Sequence, residues 1–204
     1  MIYLFSILTR SEDSFIREGY FGGATDYYKM YGENLYHYDV NSLYPYAMLN
    51  IMPFEIEKYY SNLNNINIDN LFGFFEVEIT CPDNIKYPII PYRDKFNSKG
   101  VIYPKGQWKG VYFSELLKKG IENGYKIKLI KGYSFSKKYL FNEYVNHFYN
   151  IKKNSFGAQK YIAKIHLNQL YGYFGRSLDL IHTENLNIIE LKEYLALLYL
   201  GFSL

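Results

Sequence analysis

Along residues 71–80, L-F-G-F-F-E-V-E-I-T, apolar and polar side chains alternate, which is the period of a strand with one face on a core. The C-P-D-N that follows at 81–84 predicts a turn. Residues 35–40, L-Y-H-Y-D-V, predict an earlier strand. From 43 to 50 the pattern becomes that of a short helix, with Asn41 or Ser42 as cap. The Asn-rich stretch 62–70 predicts a loop. Between 88 and 110 Pro, Gly, Lys and aromatic residues alternate without a helical period, which predicts extended segments and turns. Residues 114–123 predict a helix capped by Ser114 and ending near Gly124. A strand is expected at 125–130. Residues 135–174 carry a helical pattern, as two helices about the N-S-F-G break at 154–157. The apolar run 188–200 is interrupted by Glu190, Lys192, Glu193 and Tyr194, so it predicts an amphipathic helix. No apolar stretch reaches the length of a membrane span, and there is no internal repeat. Residues 1–34 mix apolar and polar positions and end in the Gly-rich Y-F-G-G-A-T at 20–25.

Composition narrows the class. A chain of 204 residues, 49% hydrophobic, is long enough for one or two small domains with a real core. The net charge of +3 permits a polyanionic partner without requiring one, so such a partner has to be argued from local clusters. The single cysteine, Cys81, excludes an intramolecular disulfide and any multi-cysteine zinc site. Tyrosine occurs 25 times, and Asn, Lys, Ile and Phe are also abundant. All five have A/T-rich codons, so an A/T-rich genome accounts for much of the bias. The N-terminus has no basic region ahead of its apolar run, no signal-type cleavage site and no transit-peptide composition.

Two stretches carry chemistry. In Y-D-V-N-S-L-Y-P-Y at 38–46, a strand ending in Asp39 places a carboxylate at a sheet edge, with the Val40 carbonyl as a second hard oxygen. Magnesium takes one or two carboxylates, waters and substrate phosphates, and this is such a donor set. Pro45 fixes its own φ and biases Tyr44 toward extended geometry. That holds a rigid aromatic ring near the carboxylate, suited to the floor of a sugar pocket. The plain alternative is that Asp39 caps a helix and Tyr44 fills a core.

In K-Y-I-A-K-I-H-L-N-Q-L-Y-G-Y-F-G at 160–175, a helical period puts Lys160, Lys164, Asn168 and Tyr171 on one face. Ala163, Leu167 and Leu170 form the apolar stripe beside it. Lys152 joins the cationic face if the helix is unbroken. Lysines meet phosphates as point charges, and an amide and a phenol suit a sugar and a base. A solvated lysine face is the alternative.

D-V-N-S-L-Y-P at 39–45 resembles motif A of family B DNA polymerases. K-I-H-L-N-Q-L-Y-G at 164–172 resembles their motif B, usually K-x-x-x-N-S-x-Y-G. The order is that of the family, and the long insertion between them resembles the protein-primed branch of phages and mitochondrial linear plasmids. Y-F-G-G at 20–23 resembles that branch's Y-x-G-G element at the exonuclease–polymerase junction. The resemblance implies that Asp39, helped by the Val40 carbonyl, is the first ligand of Mg²⁺ or Mn²⁺. It implies that Tyr44 stacks under the sugar and rejects a 2′-hydroxyl, and that Lys164 is the main triphosphate contact. Lys152 and Lys160 stand where relatives place further fingers lysines. Asn168 and Tyr171 correspond to the pocket for the nascent base pair. Tyr20, Gly22 and Gly23 correspond to a turn against template DNA.

The expected fold class is α+β: an incomplete palm with an antiparallel sheet, a mixed insertion and a helical fingers hairpin. The expected divisions are 1–50 (N-terminal segment and palm with motif A) and 51–139 (palm connection and insertion of the terminal-protein- and DNA-contacting type). Residues 140–175 are the fingers helices with motif B, and 176–204 are a truncated tail. Lys95, Lys99, Lys105 and Lys109, interleaved with Phe96, Tyr103 and Trp108, suit either nucleic acid or a solvated loop. Gln169 stands where the family has Ser. The family's later D-T-D, which supplies a second carboxylate to the two-metal site, is absent from these 204 residues. After Arg176 the only acidic residues are Asp179, Glu184, Glu190 and Glu193. The expected function is therefore a fragment of a protein-primed, DNA-directed DNA polymerase, inactive alone. Its partners would be primer–template DNA, a dNTP and a terminal protein, with no membrane. The alternative is a non-catalytic nucleotide- or nucleic-acid-binding remnant. The plasmid-type resemblance and A/T-rich usage imply a mitochondrial location.

Overall fold

The computed structural model describes residues 8–25, 29–93 and 100–175. In chain order the elements are α1 (Arg10–Glu18), α2 (Leu43–Met48), β1 (Met52–Tyr60), a 3₁₀ turn (Ile68–Asn70), β2 (Gly73–Cys81), β3 (Tyr92–Arg93) and β4 (Val101–Ile102). They continue with β5 (Gly106–Phe113), α3 (Ser114–Glu122), β6 (Lys126–Lys138), α4 (Asn142–Asn154) and α5 (Gly157–Phe174). The chain divides after Tyr171 into two units. The described residues of the second are the last turn of α5 and Gly175.

The alternation at 71–80 becomes β2. Phe75, Val77, Ile79 and Cys81 are buried, and Phe74, Glu76, Glu78 and Thr80 between them are half-buried. β2 lies inside a four-stranded sheet of order β1-β6-β2-β5, antiparallel throughout. Its inner face packs on Leu117 of α3, Ile90, Tyr112 and Leu63, all essentially inaccessible. Each wholly buried side chain of this kind stabilises the fold by ~1.5–3 kcal/mol. β3 and β4 form a separate two-stranded ribbon.

Several elements depart from the sequence pattern. β6 runs eight residues past the expected 125–130, through residues 135–138 that carried a helical pattern. The extension is held on both sides: Gly132 pairs with Tyr60 of β1 and with Phe75 of β2. Glycine is needed there, because a Cβ on Gly132 would stand 2.3 Å from the Phe74 carbonyl oxygen. β1 was not expected at all. It is an edge strand with no fully buried residue, so its sequence lacks a clean alternation. Ser114 is the first residue inside α3 rather than its cap, which is Phe113. The buried Ser114 hydroxyl instead accepts the Gly73 N–H at 3.2 Å, tying α3 to the start of β2. The helix does stop where expected, before Gly124 at φ 91°.

A second, smaller core forms where α2, α4 and α5 meet, with Met48, Val145, Phe148, Ala163 and Leu167 buried together. The break at 154–157 is real: α4 ends at Asn154, and Gly157 opens α5 at φ 58°. Side chains join the pair, through Phe148 stacked on His166 at 4.6 Å and the Tyr144 hydroxyl on the His166 carbonyl at 3.0 Å.

Candidate functional site

The stretch 35–40 is not a strand. Its backbone is irregular, and Leu35, Tyr36 and Tyr38 are 80%, 83% and 87% exposed. Aromatic and β-branched residues favour a strand only where a neighbour supplies the ladder, and among the described residues no strand lies beside them. Asp39 therefore sits on an exposed segment and not at a sheet edge. Its carboxylate has no hydrogen-bond or ion-pair partner among the described residues, and Val40 beside it is 56% exposed. Among the described residues no three His, Cys, Asp or Glu side chains gather into a metal-binding group.

From Asp39 the chain turns through Ser42, held in the left-handed region at φ 56°, ψ 52°, into α2. Tyr44 and Pro45 belong to the first turn of that helix, so Tyr44 is helical and not extended. Proline is tolerated there because a first-turn N–H has no intrahelical acceptor to lose. Pro45 is buried and Tyr44 remains 39% exposed.

Three distant segments meet at Tyr171. Its ring stacks on Tyr44 at 4.8 Å between centroids and 24° between planes, and on Tyr20 at 5.0 Å and 22°. The Tyr171 hydroxyl donates to the Phe21 carbonyl at 2.6 Å, and the Tyr20 hydroxyl donates to the Tyr171 carbonyl at 3.3 Å. Gly23 lies under the Tyr44 phenol, where a Cβ would come within 2.7 Å of the hydroxyl oxygen. Gly22 faces open space. Burial, with the neighbouring Tyr20 and Tyr44 phenols, pushes the Tyr171 hydroxyl up to about 12.

The lysines separate into two groups. Lys160, Lys164 and Asn168 are exposed on α5, without hydrogen-bond or ion-pair partners among the described residues. Their helix buries Ala163 and Leu167 on another side, as its period predicted. Lys152 does not continue that row, because the break puts it on α4. Its Nζ donates to the Ser42 hydroxyl at 2.8 Å, at the entrance to α2. The joint thus brings together Tyr20, Gly23, Tyr44 and Tyr171. Lys152 is tied to the same turn, and no direct contact links Asp39, Lys160, Lys164 or Asn168 to it.

Among the described residues of the aromatic–basic stretch, Trp108 offers no exposed ring for stacking. Trp108 is 9% exposed and donates its indole N–H to the Tyr112 hydroxyl at 2.9 Å. Lys105 donates to the Asp83 carbonyl at 2.6 Å, and Lys109 pairs in register with Glu78. Lys95, Phe96 and Lys99 lie outside the described residues, as do the expected helix at 188–200 and the acidic residues after Arg176. Sequence reasoning missed Arg93 and Phe21 at the joint, since a lone arginine and a phenylalanine between motif positions carry no spacing signal.

The four-stranded sheet and the helix pair match part of a DNA polymerase fold. They match Phi29 DNA polymerase complexed with primer–template DNA and incoming nucleotide substrates at a TM-score of 0.67, 24% identical, over 82% of this chain and 32% of that one. The same polymerase in its post-translocation complex with primer–template DNA matches at 0.66 and 25% identity, over 85% and 32%. The chain belongs to the family of DNA polymerase type B, organellar and viral, whose sequence profile matches residues 3–197. A probable DNA polymerase of Podospora anserina is 40% identical over 196 residues, 96% of this chain and 16% of the relative. One of Neurospora intermedia is 42% identical over 173 residues, 78% and 18%. The DNA polymerase of Bacillus phage Nf is 29% identical over 194 residues, 86% and 33%. The chain thus spans between 16% and 33% of the length of these relatives.

Proposed function

We propose that this chain is the nucleotide-selecting part of a protein-primed DNA polymerase, active in template-directed deoxynucleotidyl transfer when joined to the rest of the palm. The observation that carries the reading is the joint itself. Residues 20–23, Tyr44 and Tyr171, which match three separate motifs, pack on one another although up to 151 residues apart.

In this reading residues 1–50 hold the motif A part of the palm, 51–139 the palm connection and insertion, and 140–175 the fingers; 176–204 is the tail. The Asp39 carboxylate and the Val40 carbonyl fit a hard divalent cation, being exposed oxygens with no protein partner to displace. When bound, Mg²⁺ or Mn²⁺ would activate the primer hydroxyl and neutralise charge on the triphosphate. The chain's own residues do the rest. Lys160 and Lys164 draw the triphosphate to α5, and Lys152 adds a positive charge at the turn into α2. The Tyr44 ring lies under the sugar and leaves no room for a 2′-hydroxyl. Asn168 and Tyr171 border the base pair, and Tyr20, Gly22 and Gly23 lie along the template. Gly22, which faces open space, permits close approach of a phosphate backbone. The chain's own contribution is nucleotide binding, with Asp39 as one of the two carboxylates that a two-metal site needs. The whole polymerase would use primer–template DNA, a terminal protein and dNTPs, in mitochondria.

Fluorescent-nucleotide titration at two salt concentrations tests the reading. Exposed charge contacts are worth ~0.2–1 kcal/mol each, so affinity should be weak and fall with salt. Lys164→Ala should weaken it more than Lys126→Ala, a control on the exposed end of β6. Equal effects would make the α5 lysines an ordinary solvated face.

A further inference from the structure

We propose that Arg93 is a positioning residue that couples the insertion to the nucleotide pocket by fixing the turn at 20–23. The inference rests on the reading of that turn and the tyrosine stack as the pocket wall. Two consecutive carbonyls of the turn are held by different parts of the molecule. The Phe21 carbonyl accepts the Tyr171 hydroxyl from α5 at 2.6 Å, and the Tyr20 carbonyl accepts Nη2 of Arg93 from β3 at 2.6 Å. The Arg93 guanidinium also stands 5.1 Å from the centre of the Phe21 ring. That ring stacks on Tyr112 at 5.5 Å with only 6° between planes.

Tyr112 closes the circuit. It is 1% exposed, so its ring is a fixed platform. Its hydroxyl donates to the Pro91 carbonyl at 2.7 Å, just before β3, and accepts the Trp108 indole N–H. The path therefore runs from Arg93 to Tyr20 and Phe21, to Tyr112, to Pro91, and back along the chain to Arg93. Every step is a hydrogen bond, a ring contact or a covalent bond. The β3–β4 ribbon and the turn are fixed relative to one another, and the Tyr20–Tyr171–Tyr44 stack is fixed with them. Arginine suits the position because one planar group donates to a carbonyl while presenting its face to a ring. The lysine ammonium has no such plane. A macromolecule that shifts the ribbon then shifts the pocket, and nucleotide binding acts back on the ribbon by linkage.

Hydrogen exchange on the full 204-residue chain tests this without requiring polymerase activity. Arg93→Ala should speed exchange several-fold at Gly19 and Tyr20, whose N–H groups donate to Ile16 and Arg17 at the end of α1, and leave β2 and β6 unchanged. Arg93→Lys, which keeps charge but not the plane, should restore only part of the protection. Phe21→Leu, which keeps apolar bulk, should give the same local pattern. Unchanged exchange at Gly19 and Tyr20, or an equal rise across β2 and β6, overturns the proposal. Nucleotide titration supplies the second arm: affinity should fall several-fold in Arg93→Ala and recover partly in Arg93→Lys. If the wild-type chain binds no nucleotide, the pocket reading fails, while the exchange result still decides the role of Arg93.

Discussion

Tyr171 and Tyr112 are the residues at which local chemistry becomes measurable. Burial is the main cause that pushes each phenol up to about 12. Their unfolded values lie near the ordinary ~10. Below pH 10 both states hold the proton. Between pH 10 and about 12 the unfolded chain releases it while the folded chain keeps it, so the folded state binds more protons and stability falls as pH rises. Urea midpoints across that window should decline, and Tyr171→Phe should flatten the decline. At neutral pH the same substitution should cost about 0.5–1.5 kcal/mol, the net worth of the hydrogen bond to Phe21. An unchanged alkaline slope would mean that Tyr171 titrates as an exposed phenol. Tyr44 offers a functional counterpart. In a polymerase of the relatives' full length, Tyr44→Val should raise ribonucleotide incorporation relative to deoxyribonucleotide, read by competitive primer extension. Unchanged discrimination would make Tyr44 a packing residue of the stack. The resemblance to the family's motifs made Tyr20, Tyr44 and Tyr171 legible in the sequence. It did not show that they touch, and Arg93 was illegible because its partners are a backbone carbonyl and a ring 72 or more positions away.

Elements were legible where one side faced a core and the other water. β2 has that asymmetry, and so does the Ala163–Leu167 side of α5. α1 was missed although T-R-S-E at 9–12 is a capping box, in which the Thr9 N–H donates to Glu12 Oε2 at 2.8 Å and the Glu12 N–H to Thr9 Oγ1 at 3.3 Å. No residue of α1 is fully buried, so the cap was its clearest signal. Thr9→Ala should cost about 0.5–2 kcal/mol, seen as faster exchange confined to α1. The length of β6 was illegible because Gly132 and Ser134 interrupt the apolar pattern, yet Gly132 is what permits the strand to pass Phe74 so closely. Gly132→Ala should therefore destabilise by roughly 1–3 kcal/mol as an overpacked site, lowering the urea midpoint with little change in slope. An unaffected midpoint would show that the strands separate there at no cost.

At the scale of the whole molecule, one stretch stands apart from the other described residues. From Met30 to Tyr46 the chain exposes Met30, Leu35, Tyr36, Tyr38 and Tyr46 by 66–91% each, while the sheet and helix cores are closed. Apolar exposure this continuous marks a surface that another partner covers. Residues 35–40 are also the stretch whose composition predicted a strand, and the missing term is a neighbour for its backbone groups. The relatives named above are far longer, since this chain spans 16–33% of them. The cover expected from that pattern is an extended strand of a partner polypeptide laid along 35–40. Tyr36→Lys with Tyr38→Lys discriminates this from a contribution to the chain's own core. Surface substitutions away from packing usually stay within about 0.5 kcal/mol. The double variant of the 204-residue chain should therefore keep its thermal midpoint and scatter less light at high concentration. In a full-length relative, if a strand covers the matching segment, the matching substitutions should lower the midpoint and reduce primer extension. A fall in the midpoint of the short chain itself would place Tyr36 and Tyr38 in its own core, and the exposed segment would then be no docking strand.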